Sequence, residues 1–365
     1  METDLRWMQV ALTLGRRGMG RTWPNPAVGC VLVSPEGRVV GRGWTQPGGR
    51  PHAEVMALRA AGLAAQGATA YVTLEPCSHH GKSGPCSEAL ITAGVARVVS
   101  ALQDPDPRVS GRGHDMLRTA GISVTEGVAQ TLAHQDHAGF LLRATVGRPM
   151  VTLKLALTLD GRLATSSGES QWITGPEARR AGHAMRARHD AVLIGAGTAR
   201  ADDPMLTVRG LGVTQQPVRI VSARKLDIPL PSRLAETAST DAPVWICHGP
   251  DASAARIAKA EGLGLTCIPV PDGIEGLDPA AMMAELAARG LTRIYCEGGG
   301  ALGASLLRAG QVDRLAAFHA GCAIGSDGRP GLGTMGLDAL ADAPRFTRLR
   351  SSAVGADILS EWQRL

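Results

Sequence analysis

His52-Ala53-Glu54, followed by Glu75-Pro76-Cys77-Ser78-His79-His80-Gly81-Lys82-Ser83-Gly84-Pro85-Cys86, is the part of the chain around which the rest is organised. Zinc takes nitrogen and sulfur donors in tetrahedral geometry. His52, Cys77 and Cys86 supply three of the four positions and leave one for water. Such a water ionises near neutral pH, and a carboxylate facing the metal without ligating it can carry the released proton. Glu54, two residues past the histidine, has the chemistry for that role. The competing reading is a structural zinc site, or none. A structural site draws four protein ligands, commonly from close cysteine pairs. Here three are evident and the cysteines are widely spaced. The joint occurrence of His-Ala-Glu and Glu-Pro-Cys, the latter after the strand-like run Ala70 to Leu74, favours a catalytic centre.

H-x-E followed by P-C-x-x-C is the signature of zinc-dependent nucleobase deaminases. In this chain eight residues, not two, separate the cysteines, and they include His79 and Lys82. Together with Thr22-Trp23-Pro24-Asn25-Pro26-Ala27-Val28-Gly29-Cys30, this loop resembles the bifunctional deaminase/reductase family of bacterial riboflavin biosynthesis, whose loop reads close to C-S-H-x-G-[KR]-T-P-P-C. Ser83 and Gly84 stand where that family usually has Thr and Pro. Thr45 stands where it often has a substrate-contacting His.

At 365 residues two domains are expected, since single cores rarely grow past roughly 250–300 residues. Hydrophobic residues make up 44% and aromatics 3%, so both cores must be aliphatic. No run approaches the roughly 20 apolar residues of a membrane helix, and Met1-Glu2-Thr3-Asp4 lacks the basic start of a signal peptide. Seven cysteines without a framework read as metal ligands plus reduced thiols, hence a cytoplasmic protein. A net charge of +5 reads either as a mildly basic surface or as attraction for phosphorylated substrates. No Lys/Arg-rich run with interleaved aromatics suggests nucleic-acid binding.

Hydrophobic periodicity and turn residues predict a helix over 4–17 with Asp4 as N-cap and strands at 29–33 and 38–43. A helix follows over 52–65, with His52 and Glu54 in its first turn, then a strand at 70–74. Cys86 opens a further helix, 97–102 is a strand, and a helix over 132–145 closes the unit. This alternation suits an α/β/α sandwich of the cytidine-deaminase type, the class that the deaminase motif and the resemblance imply. The turn-rich Asp104-Pro105-Asp106-Pro107-Arg108-Val109-Ser110-Gly111-Arg112-Gly113 is either a surface loop or, by resemblance, part of the site lining.

The boundary is expected near Gly147-Arg148-Pro149, giving a zinc-dependent deaminase domain over 1–146 and an NADPH-dependent reductase domain over 147–365. In the second half, Lys154 to Arg162, Gly168 to Thr174 (Gly-Glu-Ser-Gln-Trp-Ile-Thr) and Ala201 to Arg209 (Ala-Asp-Asp-Pro-Met-Leu-Thr-Val-Arg) resemble segments of the family's reductase half. A helix is expected over 176–189. The family usually places Asp-Ser after the strand 218–221, where this chain has Ser222-Ala223-Arg224. Arg224 reads as a phosphate contact or as a solvated side chain. Glu297-Gly298-Gly299-Gly300-Ala301-Leu302-Gly303, between strand and helix, allows close backbone approach to a phosphate. The acid that a Rossmann unit wants roughly 20 residues on is Phe318. The dihydrofolate-reductase-like α/β fold implied by the resemblance suits this better.

The resemblance implies zinc on His52, Cys77 and Cys86, Glu54 as catalytic proton carrier, and Asn25, His79 and Lys82 as contacts to the deaminase substrate. It implies that Ser170, Arg186, Leu206, Arg209 and Glu297 contact the reductase substrate. NADPH contacts fall on Ala156, Trp172, Thr198, Asp202, Gly299, Gly300, Ala301, Leu302, Gly303, Ala304 and Ser305, with Lys154 and Asp160 as candidate catalytic groups. Partners would be small phosphorylated pyrimidines and further copies of the chain in a homo-oligomer. Three rival readings are a pyrimidine deaminase with a degenerate reductase half, suggested by Ser222-Ala223; a deaminase of another base or of RNA; and a zinc-stapled nucleotide-binding module. The eight-residue loop and second domain disfavour the second, and Glu54 disfavours the third.

Overall fold

The computed structural model describes residues 2–80, 84–106 and 109–365, so Lys82 lies outside the described residues. The chain divides into two compact units, Met1–Gly147 and Arg148–Leu365.

The first unit is a five-stranded sheet in the order Val39–Trp44, Gly29–Val33, Thr69–Val72, Arg97–Ser100, Ser123–Thr125. Gly29–Val33 pairs antiparallel with both neighbours, and the later pairs are parallel. Parallel neighbours need crossovers, which the helices Cys86–Thr92 and Arg112–Thr119 provide. Val31, Leu32, Val72, Val98 and Val99 are fully buried at the centre of an aliphatic core.

The helix Ala53–Ala61 lies close against the edge strand because Gly41 and Gly43 offer no side chain. A Cβ on either would sit 2.2 Å from the carbonyl oxygen of Ala57 or Ala53. That contact fixes the helix start and hence Glu54. The helix is shorter than expected: Gly62, at φ +54°, ends it, and a 3-10 turn spans Gly62–Ala65. His52 is its N-cap, in extended conformation, one position before the first turn. The expectation for Asp4 is also corrected. The first helix is Glu2–Gly15, so Asp4 lies inside it. Its carboxylate receives two hydrogen bonds from Arg97 at 2.9 Å and one from the Tyr71 hydroxyl at 3.0 Å, tying helix to sheet.

The second unit is a nine-stranded sheet in the order Thr266–Pro269, Val244–His248, Val218–Ser222, Ala191–Gly195, Arg293–Cys296, Met150–Thr158, Arg314–Ala320, Asp357–Arg364, Phe346–Val354. Pairing is parallel up to Arg314–Ala320, and the last two strands add antiparallel. Ligands of open parallel sheets gather beyond the carboxyl ends of the strands, where the helices Ala196–Asp202 and Gly300–Arg308 begin. The helix expected over 176–189 stops at Arg186. His189 then turns inward, where its Nδ1–H donates to Met185 O at 2.7 Å and its Nε2 accepts from Thr152 Oγ1 at 3.0 Å.

Candidate active sites

The metal-type group assembles from three elements: the cap of the helix Ala53–Ala61, the turn after the strand Thr69–Val72, and the first residue of the helix Cys86–Thr92. His52 Nδ1 lies 3.3 Å from Cys86 Sγ and 3.6 Å from Cys77 Sγ. The three ligand atoms are within 4.8 Å of one another. The Cys86 backbone N–H donates to Cys77 Sγ at 3.3 Å. Hydrogen bonding from Cys86, then from His52, pushes the Cys77 thiol down to about 4, while Cys77 and burial push Cys86 up. Two sulfurs and one imidazole nitrogen thus face one another. This is a soft donor set suited to zinc, with three protein ligands and no fourth among the described residues. Glu54 is buried at 3% exposure. Burial raises its carboxyl to about 7, against the downward pull of His52.

Asn25, His52, Glu54, Cys77 and His79 all line one cleft of about 520 Å³. One Asn25 N–H is committed to Gly49 O at 3.1 Å, which holds its amide in place. His79 Nδ1 is buried and has no hydrogen-bond partner among the described residues. Thr45 also borders the cleft, but its hydroxyl is engaged by the backbone of Val28, accepting from the N–H at 3.0 Å. Arg50, Asp104, Asp106, Phe140 and Arg143 join the lining. For Arg50, Phe140 and Arg143 no local sequence pattern gave a signal, because they arrive from a loop and from the distant helix Gln130–Val146.

In the second unit, three sequence-distant charges meet. Arg186 Nε and Nη2 each lie 2.7 Å from Glu297 Oε1, and Lys154 Nζ lies 3.9 Å from Oε2. Arg186 Nη1 also donates to Thr207 O at 2.5 Å, next to Leu206, whose φ of +54° is a strained value for a leucine. The Arg209 N–H donates to His183 Nδ1 at 3.3 Å, on the same helix as Arg186, so the stretch that carries Leu206 and Arg209 is held against the helix whose Arg186 pairs with Glu297. Trp172 is 67% exposed, with the Arg179 guanidinium 4.6 Å over its ring. Gly299 caps the helix Gly300–Arg308, and a Cβ there would meet only Thr198 Oγ1, at 3.7 Å. That open approach at a helix N-terminus fits a phosphate-bearing cofactor. Gly300 is different: a Cβ would lie 3.1 Å from both Gly333 N and Pro330 O, so the chain itself fills that space. Gly303 packs on Leu153 and Leu332, and Ala304 is 1% exposed. Ala156, Ser170 and Ser305 are half-buried, and Asp202 is exposed at the end of its helix. The carboxylate of Asp160 accepts from Thr158 Oγ1 at 2.5 Å and from Gly325 N at 2.7 Å. These bonds hold it down at about 2 and make it a loop anchor. Arg224 is paired through two hydrogen bonds to Asp272, at 2.6 and 2.7 Å, with Asp251 at 3.4 Å, and Ala223 is buried in the core.

A His/Cys/Cys group with an adjacent buried glutamate, set in a five-stranded α/β sandwich, defines a zinc-dependent deaminase unit. The second unit has the fold of a reductase domain. Residues 1–102 match the family model described as cytidine and deoxycytidylate deaminase zinc-binding region, and residues 149–360 match that of the RibD C-terminal domain. The chain belongs to the RibD family of riboflavin biosynthesis proteins, which joins a deaminase and a reductase in one polypeptide. It is 44% identical to riboflavin biosynthesis protein RibD of Escherichia coli over 97% of this chain and 98% of that one. Identity to RibD of Aquifex aeolicus is 38%, covering 100% and 99%. Among solved structures, RibD of Acinetobacter baumannii superposes with a TM-score of 0.89 at 36% identity over 100% of this chain and 99% of that one. A Thermotoga maritima protein described as a diaminohydroxyphosphoribosylaminopyrimidine deaminase/5-amino-6-(5-phosphoribosylamino)uracil reductase superposes with a TM-score of 0.86 at 32% identity, over 100% and 99%. Among the described residues no helix is long and apolar enough to cross a membrane.

Proposed function

We propose that the first unit deaminates 2,5-diamino-6-ribosylamino-4(3H)-pyrimidinone 5′-phosphate. The second then reduces the resulting 5-amino-6-(5-phosphoribosylamino)uracil to its ribitylamino product with NADPH. The observation that carries this reading is the convergence of His52, Cys77 and Cys86 on one point, at a cleft lined by His52, Cys77, buried Glu54, Asn25 and His79. His52, Cys77 and Cys86 would hold zinc, which supplies Lewis-acid activation of the attacking water. Glu54 receives one water proton and passes it to the ring nitrogen as the new C–O bond forms, then carries the second, from the hydroxyl of the adduct, to the departing amine as the C–N bond breaks and the carbonyl forms. Asn25 keeps an amide oxygen and a second N–H for the ring. His79 offers its unpartnered nitrogen to the substrate, and Lys82 is assigned a substrate contact from the sequence alone.

In the second unit, NADPH when bound would supply the hydride that the ribose C1′ needs. Lys154, held by Glu297, protonates the ring oxygen as the ribose opens, and Arg186, Arg209, Ser170 and Leu206 shape the substrate side. Thr198, Gly299 and the first turn of the helix Gly300–Arg308 take the cofactor phosphates. Seven unbridged cysteines accord with a cytoplasmic setting. The test is incubation with the diamino substrate, with and without NADPH, followed by mass analysis. Without NADPH the product carries an oxo group in place of the amine, and with it the product also gains two hydrogens. Deamination never followed by reduction would establish the single-activity alternative.

A further inference from the structure

We propose that Glu75 is a positioning residue of the deaminase site, its buried carboxylate clamping the backbone at Asp104, Gly111 and Gly113 against the metal-ligand turn and thereby setting how tightly the cleft holds substrate. Glu75 is 3% exposed. Its Oε2 accepts from the backbone N–H of Asp104 at 3.1 Å and of Gly111 at 3.0 Å, and its Oε1 accepts from Gly113 at 2.9 Å. Among the described residues, His114 Nδ1 lies 4.0 Å from Oε2 and 3.2 Å from Glu126, and the Asp104 carboxyl is raised to about 6 by burial first, with the charge of Glu75 adding to it. A buried carboxylate is costly unless hydrogen-bonded, and here backbone N–H groups from both ends of one segment satisfy it.

The position of that carboxylate gives the clamp its meaning. Its own N–H donates to Leu102 O at 2.8 Å, and two residues on stands Cys77. The clamped segment contributes Asp104, Asp106 and Val109 to the cleft that holds His52, Glu54 and Cys77. Asp104 Oδ1 in turn accepts from Asp106 N at 2.9 Å, so a shift at Asp104 moves both side chains. Glu75 also borders that cleft, but both of its carboxylate oxygens are taken up by backbone N–H groups, so it acts by coupling the wall that meets substrate to the turn that meets metal.

This inference rests on the proposed deaminase activity, and its test separates the two. Glu75→Gln conserves shape but turns one acceptor into a donor that faces backbone N–H groups. In the full chain we expect the KM for the diamino substrate to rise about tenfold, from the loss of one or two such bonds. The deaminase kcat, zinc content and NADPH-dependent reduction should stay near wild type. An unchanged KM in zinc-loaded protein overturns the clamp. So does a fall in zinc content or in kcat alone, which would make Glu75 a support of the metal group. If Glu75→Gln does not fold, amide hydrogen exchange on the wild-type protein decides: slow exchange at Asp104, Gly111 and Gly113 supports the clamp, and exchange at the rate of exposed loop amides overturns it. If wild type leaves the diamino substrate untouched, the functional proposal fails, and hydrogen exchange still tests the clamp.

Discussion

At Glu54 shape and charge can be separated, because Gln fills the same buried space and cannot accept the water proton. Glu54→Gln is expected to keep full zinc by elemental analysis and to lose deamination by at least about 10²–10⁴-fold, the usual worth of a general acid–base group. Near-normal turnover would sink the mechanism. Cys77→Ala and Cys86→Ala should instead lose zinc, and full occupancy in both would remove the ligand assignment. His189 carries a pH prediction. Burial holds its imidazole down at about 3, whereas the unfolded chain protonates near 6.5. A depressed folded value means that the unfolded state takes the proton first as pH falls. Stability of the second unit should therefore decline below about pH 6.5, with a slope approaching about 1.4 kcal/mol per pH unit from this group. Denaturant unfolding of His189→Gln between about pH 6.5 and 4 should show a flatter acid limb, and an identical slope would count against it. Metal chemistry prescribes residue types, so His52, Glu54, Cys77 and Cys86 were legible from letters alone. Glu75 was not, because its partners are backbone N–H groups that leave no mark in a sequence.

Strand, glycine turn and helix over 293–308 form the element on which the reductase reading depends, and two adjacent glycines in it do different work. Gly299 has open space before it, whereas Gly300 is hemmed in by Pro330 O and Gly333 N. Gly299→Ala should leave thermal unfolding unchanged and weaken NADPH binding in a fluorescence titration. Gly300→Val should destabilise the unit itself, by an amount in the range of about 1–3 kcal/mol typical of overpacking. If Gly299→Ala binds NADPH as wild type does, the cofactor phosphates lie elsewhere. The glycine-rich pattern was visible in the sequence, but not that a segment thirty residues on fills the space at Gly300. Arg224 gives the same lesson: Asp272, its partner, stands 48 positions away. Helix ends were misjudged by a few residues where a left-handed glycine, as at Gly62, or an inward-turning histidine, as at His189, stopped the α-helix early.

Across the whole molecule, each unit has its own sheet, and the two-domain reading followed from length and from the change of motif near Gly147. Residues 148–365 produced alone should fold and bind NADPH in a calorimetric titration. A folded segment that binds neither NADPH nor NADH at millimolar concentration would leave the deaminase as the single activity. The joint between units is short. One helix ends at Val146 and the next strand begins at Met150, with Arg148 pinned to Asp313 by bonds of 2.7 and 2.8 Å. The two steps of the proposed sequence are therefore translated from one message in a fixed ratio of one to one, and a change in expression scales both alike. A nonsense mutation downstream of codon 150 would remove the second step alone and leave the first making an aminouracil with no consumer on the same chain.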